Sequence, residues 1–466
     1  MNAEKSKTFA PDSLPGAVPY CPQVILLSLN WTRDKDPRLP LGHASILAAL
    51  VDAGRDVESL VYAVNGDLRV ADIAEHILAI VQRDSSRPVV LGIGAYVWGE
   101  AILQALLPML RTRGFRGIIV LGGPQISFME SGFEAMYPQA DIFIRGAGEQ
   151  AMVAVTSMPE LMDMPGVHYA GHTQRVTTAK ADLDALPSPW LRHDWNAEPL
   201  KFVRMETVRG CPFSCSFCQH RAPDRGARPV CFSDSRVHRE IALFCERRVE
   251  SIAVLDPIFN SASRATEYLA AFAEHGFQGK LSLQCRAELI TDEFLAAACR
   301  LNTTLEFGLQ TIHDSESDAV NRRNKIEKVD AALGKVQALG IHHEVSLIFG
   351  LPTQTLDSFC ESVDWCLHRR VPVIKAFPLM LLRGTQLAVD APRWALKESR
   401  HSMPIVTSSS TFTEEDWAQM NAISEALKRT EGRHPKSVHD LNPRQPGSVA
   451  IHRWEPECEC GTLSSV

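Results

Sequence analysis

Short, continuous apolar runs rich in β-branched residues alternate with helical stretches along most of this chain. That alternation restricts the fold to parallel sheets. VILLSLN (24–30), DVESLVYAVN (56–65), PVVLGIGAYVW (88–98), GIIVLGGP (117–124) and DIFIRGAGE (141–149) read as strands. Helical stretches lie between them, from Leu41 to Ala53, Val70 to Gln82 and Ala101 to Arg113. An uninterrupted apolar run marks a strand buried on both faces, and strands separated by helices pair in parallel as βαβ units. Gly-rich turns follow the later strands at their carboxyl ends, where ligands of open α/β sheets bind.

A polar connector containing ALPSPW (185–190) precedes a second series, with strands expected at 202–207, 251–255, 280–285, 304–309, 343–349 and 372–377. Six such units fit a partial (βα)6 barrel. Beyond about residue 390 the alternation stops, leaving one amphipathic helix (Glu414 to Arg429) and a Pro/Gly/His-rich tail. The expected division is 22–170 for the first α/β domain, 171–198 for a linker, 199–390 for the barrel and 391–466 for a C-terminal helix and tail. Residues 1–21 read as a loose tail.

With 45% hydrophobic and 22% charged residues, the composition is that of an ordinary globular chain. A net charge of −7 lacks the basic excess of a nucleic-acid-binding surface. The polar N-terminus has no signal-peptide apolar region, and no run of about 18 apolar residues would span a membrane. The expectation is a cytoplasmic protein with no nucleic-acid or membrane partner. The twelve cysteines are scattered through apolar segments as well as clustered, which fits reduced thiols, not a disulfide framework.

The clustered cysteines carry the chemistry. VRGCPFSCSFCQHR contains C-x3-C-x2-C, formed by Cys211, Cys215 and Cys218, directly after an expected strand. Three thiolates in one loop can bind three irons of a [4Fe-4S] cubane and leave the fourth open. The amino and carboxylate groups of S-adenosylmethionine (SAM) can chelate that open iron and receive an electron. A zinc site is the competing reading; it usually takes four ligands, and Cys231 is the nearest candidate for a fourth.

With this triplet after the first strand of six expected βα units, the chain resembles the radical SAM superfamily, and within it the class with an N-terminal cobalamin-binding-type domain. The resemblance covers about residues 22–390. It implies a Rossmann-like cobalamin-type domain, a partial barrel and a short C-terminal helical region, with Phe217 near the adenine of SAM. LDPIFN (255–260) is similar to a segment that would put Asp256 near the SAM amino group. CRAE (285–288) would bring Arg286 and Glu288 to the barrel mouth. EFGLQT (306–311) contributes Gln310, with Arg322 in the helical region that follows. LIFGLPTQT (347–355) resembles the glycine motif behind the adenine, through Gly350. FPLMLLRGT (377–385) resembles the segment that closes the barrel.

In the first domain, AYVWGE (95–100), LGGPQIS (121–127) and RGAGE (145–149) resemble loops that cradle a corrin. The implied contacts are Trp98, Gly122, Gly123 and Gly146. The D-x-H-x-x-G cobalt-ligand motif is missing, and His43 in PLGHAS lacks the spacing. Arg69 is the candidate for the lower corrin face.

The resemblance implies a small-molecule substrate in specialised metabolism and an electron donor such as flavodoxin or ferredoxin. Two transfers are open: cobalamin-dependent methylation, or transfer of the 3-amino-3-carboxypropyl group of SAM to trivalent arsenic, as in arsinothricin biosynthesis. The second rests on the missing cobalt-ligand motif and on Cys458 and Cys460, a polar Cys-x-Cys suited to a soft ion. The His342–His343 pair reads as a solvated strand end.

Overall fold

The computed structural model describes residues 22–33, 39–157, 163–172, 177–192, 200–220, 228–262, 264–399 and 403–441. Residues 1–21 and the Cys458/Cys460 pair lie outside the described residues. The N-terminal elements run β1 (Gln23–Asn30), α1 (Leu41–Asp52), β2 (Val57–Ala63), α2 (Val70–Arg83), β3 (Val89–Gly94), α3 (Glu100–Thr112) and β4 (Ile118–Gly122). Short helices α4 (Pro124–Ser127) and α5 (Phe133–Met136) lead to β5 (Ile142–Ile144), α6 (Glu149–Ser157) and β6 (Val167–Tyr169).

Among the described residues these strands form a six-stranded sheet ordered β2-β1-β3-β4-β5-β6. It is parallel except for β6, which pairs antiparallel to β5. Both faces are covered, which is why the strands read as unbroken apolar runs. Ile25, Leu27, Leu91 and Leu121 pack with Ile73 and Ile77 of α2 and Leu106 of α3. Val24, Val90 and Val120 on the opposite face pack with Leu50 of α1 and Met152 of α6. The chain leaves β1 toward β2 and returns to β3 on its other side, so a topological switch point falls between the carboxyl ends of β1 and β3. This is a doubly wound, Rossmann-like sheet.

The second series begins with β7 (Phe202–Met205) and an antiparallel pair, β8 (Val208–Arg209) and β9 (Val230–Cys231). It continues as α7 (Asp234–Glu246), β10 (Ser251–Val254), α8 (Ala265–Glu274), β11 (Lys280–Cys285), α9 (Asp292–Ala298) and β12 (Asn302–Gln310). Then follow α10 (Asp314–Ala319), α11 (Ile326–Ala338), β13 (His342–Phe349), α12 (Leu356–His368) and β14 (Val373–Pro378). The parallel sheet runs in unbroken order, β7-β10-β11-β12-β13-β14, the arrangement of an open (βα)6 barrel. A short helix α13 (Gln386–Asp390), an antiparallel pair β15 (Lys397–Glu398) and β16 (Val406–Ser408), and α14 (Glu414–Arg429) complete the described chain. A Thr413/Asp416 capping box starts α14 at the expected residue.

Barrel strands alternate in burial. Leu283, Phe307, Leu309, Val345 and Phe349 are buried toward the helices. The opposite face carries Gln284, Glu306 and Glu344 as successive register partners. Ser282 donates to Glu306, and Lys375 pairs with Glu344. The lumen is therefore polar.

Several expectations shift. The run 88–98 leaves the sheet after Gly94, and 141–149 is strand only over Ile142–Ile144, because Gly146 at φ 89° turns the chain. Of the histidine pair, His342 is exposed but His343 is buried, with burial holding its pKa below the ordinary value. Among the described residues, no helix is long and apolar enough to cross a membrane.

Candidate functional site

The cysteine loop is held from three directions. Behind it, the fully buried Asp256 at the end of β10 accepts from the backbone N–H groups of Thr207 (2.7 Å) and Val208 (3.1 Å) and from the Thr207 hydroxyl. These residues lead directly into Gly210 and Cys211. From the β12 side, the Ser216 amide donates to the Val320 carbonyl at 2.9 Å, and Asn321 Nδ2 donates to Ser214. From beyond β14, the Leu387 amide donates to the Ser216 carbonyl at 2.9 Å, and Gln219 Nε2 donates to the Arg383 carbonyl at 2.8 Å. The loop thus spans from the first barrel strand to the last, across the open side of the barrel.

Cys211, Cys215 and Cys218 come close enough to influence one another electrostatically. Burial raises the Cys211 thiol and pushes Cys218 up to about 11, with smaller upward contributions from the neighbouring cysteines. Opposing this are two cations. Arg322 is buried, its Nη1 lies 3.9 Å from Cys215 Sγ, and its Nη2 donates to the Gly308 carbonyl. Arg286 lies 4.1 Å over the Phe213 ring within the loop and donates to the Arg323 carbonyl at 3.0 Å. Both cations pull the Cys211 thiol toward its thiolate form. Arg322 Nε is buried without a partner among the described residues, a donor left for a ligand. No three His, Cys, Asp or Glu side chains among those residues converge as on a single metal ion. A cubane holds its thiolates on separate irons, farther apart than the ligands of one ion.

The remaining strand-end residues fall around this loop. Asn260 clamps the backbone of Arg286 in both directions, at 2.8 and 2.9 Å, and Glu288 lies 3.4 Å from the Arg286 guanidinium. Gln310 sits at φ 71°, beside the Gly308/Gln310 register shift of β12. At Gly308 a Cβ would meet Gln310 Nε2 at 2.7 Å, so the Gln310 side chain packs directly over the glycine. Gly350 has φ 90°, and its amide donates to Gln354 Oε1 at 2.7 Å. Phe217 is half-buried against the barrel core. Asp256, expected near the SAM amino group, has its carboxylate engaged by the strand end.

In the first domain, Trp98 and Tyr96 stack at 4.8 Å with 12° between their planes, and Trp98 Nε1 donates to the Leu29 carbonyl at 2.9 Å. This bond crosses the switch point from the β3 loop to β1. Beside it, Asn30 Nδ2 is buried without a partner among the described residues, and Trp31 is 42% exposed. Gly123, at φ 88°, lies where a Cβ would meet the Ala95 carbonyl at 2.8 Å, and Gly146 faces the Ala179 backbone more closely still. Both glycines are therefore demanded by backbone approaching backbone. Gly122, by contrast, has ordinary room for a Cβ. Arg69 is 78% exposed and paired with Asp72 at the start of α2. His43 bonds Ser59 at 2.8 Å and is held neutral by burial, its pKa lowered to about 4.

Four charged residues that sequence reasoning passed over join the two domains. Arg209 pairs with Glu149 at 2.7 Å, and Arg383 reaches both carboxylate oxygens of Glu100, at 3.2 and 3.3 Å. Their signal was present: each charge stands among apolar residues, glycines or cysteines, where a solvated loop needs none.

Residues 205–366, from the end of β7 into α12, match the radical SAM superfamily. The chain carries a radical SAM domain. Over 322 residues it is 27% identical to the cobalamin-dependent radical SAM methyltransferase TokK of Streptomyces tokunonensis, covering 63% of this chain and 46% of that protein. It is also 27% identical over 375 residues to the 2-(S-pantetheinyl)-carbapenam-3-carboxylate methyltransferase of Streptantibioticus cattleyicolor, covering 74% and 51%. The chain spans about half the length of these curated relatives. The solved structure of OxsB, a cobalamin-dependent SAM radical enzyme with aqua-cobalamin and SAM bound, superposes with a TM-score of 0.66 at 16% identity, covering 88% of this chain and 67% of that one. TsrM from Kitasatospora setae, with cobalamin and a [4Fe-4S] cluster bound, gives 0.62 at 17% identity, covering 80% and 75%. At such identities the likeness is one of fold. It joins the doubly wound sheet and the radical SAM domain in one known architecture.

Proposed function

We propose that this chain is a cobalamin-dependent radical SAM methyltransferase acting on a small molecule in specialised metabolism. The observation that carries the reading is the cysteine loop: three thiols tethered across a barrel mouth, beside a buried guanidinium with a free Nε. These residues fit a [4Fe-4S] cluster held by Cys211, Cys215 and Cys218, with SAM against Phe217, Arg322, Gln310 and Gly350. A cluster bound there and reduced by a flavodoxin- or ferredoxin-type donor would supply the electron for reductive cleavage of a C–S bond of SAM. At the switch point Trp31 offers an exposed ring and Asn30 an unpartnered donor, groups that suit contact with a large flat ligand. Cobalamin bound there would supply a transferable methyl group. The chain's own part is to orient these groups and exclude water, while the polar lumen lined by Glu306, Glu344 and Lys375 receives the substrate.

Anaerobic reconstitution with iron and sulfide, followed by hydroxocobalamin and gel filtration, tests this reading. A full cluster and a retained corrin absorbance are expected. A cluster without corrin would remove the methyl-carrier part. Aminocarboxypropyl transfer to arsenic rests on Cys458 and Cys460, and replacing both with serine tests it separately.

A further inference from the structure

We propose that Glu100 and Glu149 are positioning residues that couple the corrin-facing loops of the first domain to the two flanks of the cysteine loop. This rests on the functional reading above. Each glutamate is the last residue of a loop segment, AYVWGE or RGAGE, and the first residue of a helix, α3 or α6. A carboxylate at a helix N-terminus is favoured by the helix dipole. Each reaches an arginine adjoining the cysteines. Arg209, two residues before Cys211, is shared between Glu149 and Glu206, both at 2.7 Å. On the other flank, Gln219 follows Cys218 and donates to the Arg383 carbonyl, while the Arg383 guanidinium holds Glu100.

Glu100 is a stiff anchor. Tyr137 Oη donates to it at 2.7 Å, Gln104 at 3.0 Å and Gln125 at 3.0 Å. Next to Arg383, Gly384 has φ 66° and presses against the Phe128 carbonyl, leaving no room for a Cβ. Two partly desolvated charge pairs thus bracket the loop. Charge-assisted hydrogen bonds in such settings are stronger and more directional than neutral ones. A ligand that orders the AYVWGE or RGAGE loop therefore orders the cysteine loop through the same carboxylates.

Glu149→Gln, Glu100→Gln and the double variant keep side-chain shape and remove the charges. Hydrogen–deuterium exchange on the full chain without cofactors reads the pairs directly. We expect amides at 209–220 and 383–387 to exchange about tenfold faster in the double variant, the effect of losing about 1.4 kcal/mol of local protection. Strands β10 to β13 should be unchanged. In the reconstituted wild type, hydroxocobalamin should slow exchange at 209–220 and slow bleaching of the cluster in air several-fold. The double variant should bind cluster and corrin yet lose that protection. Wild-type exchange in the double variant, or a rise spread evenly over β10 to β13, would overturn the proposal. If the wild type retains no corrin, the functional reading fails, while exchange without cofactors still tests the pairs.

Discussion

Arg322 lies with Nη1 3.9 Å from Cys215 Sγ while donating through Nη2 to the Gly308 carbonyl, so the loop after α10, braced on β12, holds a buried positive charge against the cysteine loop. A reduced cluster carries one more negative charge than an oxidised one, and a nearby cation favours it. Arg322→Met should lower the cluster midpoint potential. A differential interaction of about 1.5 kcal/mol corresponds to a shift of about 60 mV for one electron. Arg322→Lys should fall between, keeping the charge but losing the fork that spans Gly308 and Cys215. A spectroelectrochemical titration checks this, and an unchanged potential in Arg322→Met would contradict it.

Burial raises the Asp256 pKa to about 6, against the hydrogen bonds from Thr207 and Val208 that favour its ionised form. Its folded value therefore exceeds its unfolded value, and its contribution to stability is present below the unfolded pKa and lost as pH rises through about 6. About two units correspond to about 3 kcal/mol. Asp256→Asn preserves the geometry, since Oδ1 can still accept from both amides and Nδ2 can donate to the Thr207 hydroxyl. His43, with its pKa lowered to about 4, works in the opposite direction, so the comparison is wild type against variant. Urea unfolding without cofactors should show wild type gaining on Asp256→Asn between pH 7 and pH 4.

Gly384 separates close approach from simple backbone strain. Gly384→Ala meets both a left-handed φ and the Phe128 carbonyl, and should cost about 2–4 kcal/mol. Gly54, at φ 71° with open space around a Cβ, should cost about 1 kcal/mol as alanine. Equal urea midpoints for the two variants would contradict the tight domain contact.

Serine at Cys211, Cys215 or Cys218 should abolish iron binding after reconstitution, whereas serine at the exposed Cys231 or Cys299 should leave it intact. Iron and sulfide analysis per chain decides this. Loss of iron in Cys231→Ser would favour a four-ligand metal site instead.

The barrel strands were legible because local signals coincide with tertiary demand. A barrel strand covered by helices on one face alternates apolar with polar side chains, and β11 and β13 lie where their sequences place them. The helix Glu414–Arg429 carries its start signal in Thr413 and Asp416. The two-residue partners β8 and β9 are too short to leave a pattern, and β6 pairs antiparallel at an edge where periodicity says nothing about direction. The Asp256 assignment came from likeness in sequence; the structure shows the carboxylate bracing Thr207 and Val208. The Glu100–Arg383 and Glu149–Arg209 pairs join distant positions, and sequence patterns report local order far better than such charge pairings.

The most direct measurement is the fate of SAM on the reconstituted, dithionite-reduced chain with hydroxocobalamin present, read by liquid chromatography and mass spectrometry. We expect 5′-deoxyadenosine from reductive cleavage, lost in Cys215→Ser. Accumulation of methylthioadenosine in its place, or SAM left unconsumed by a chain with a full cluster, would contradict it.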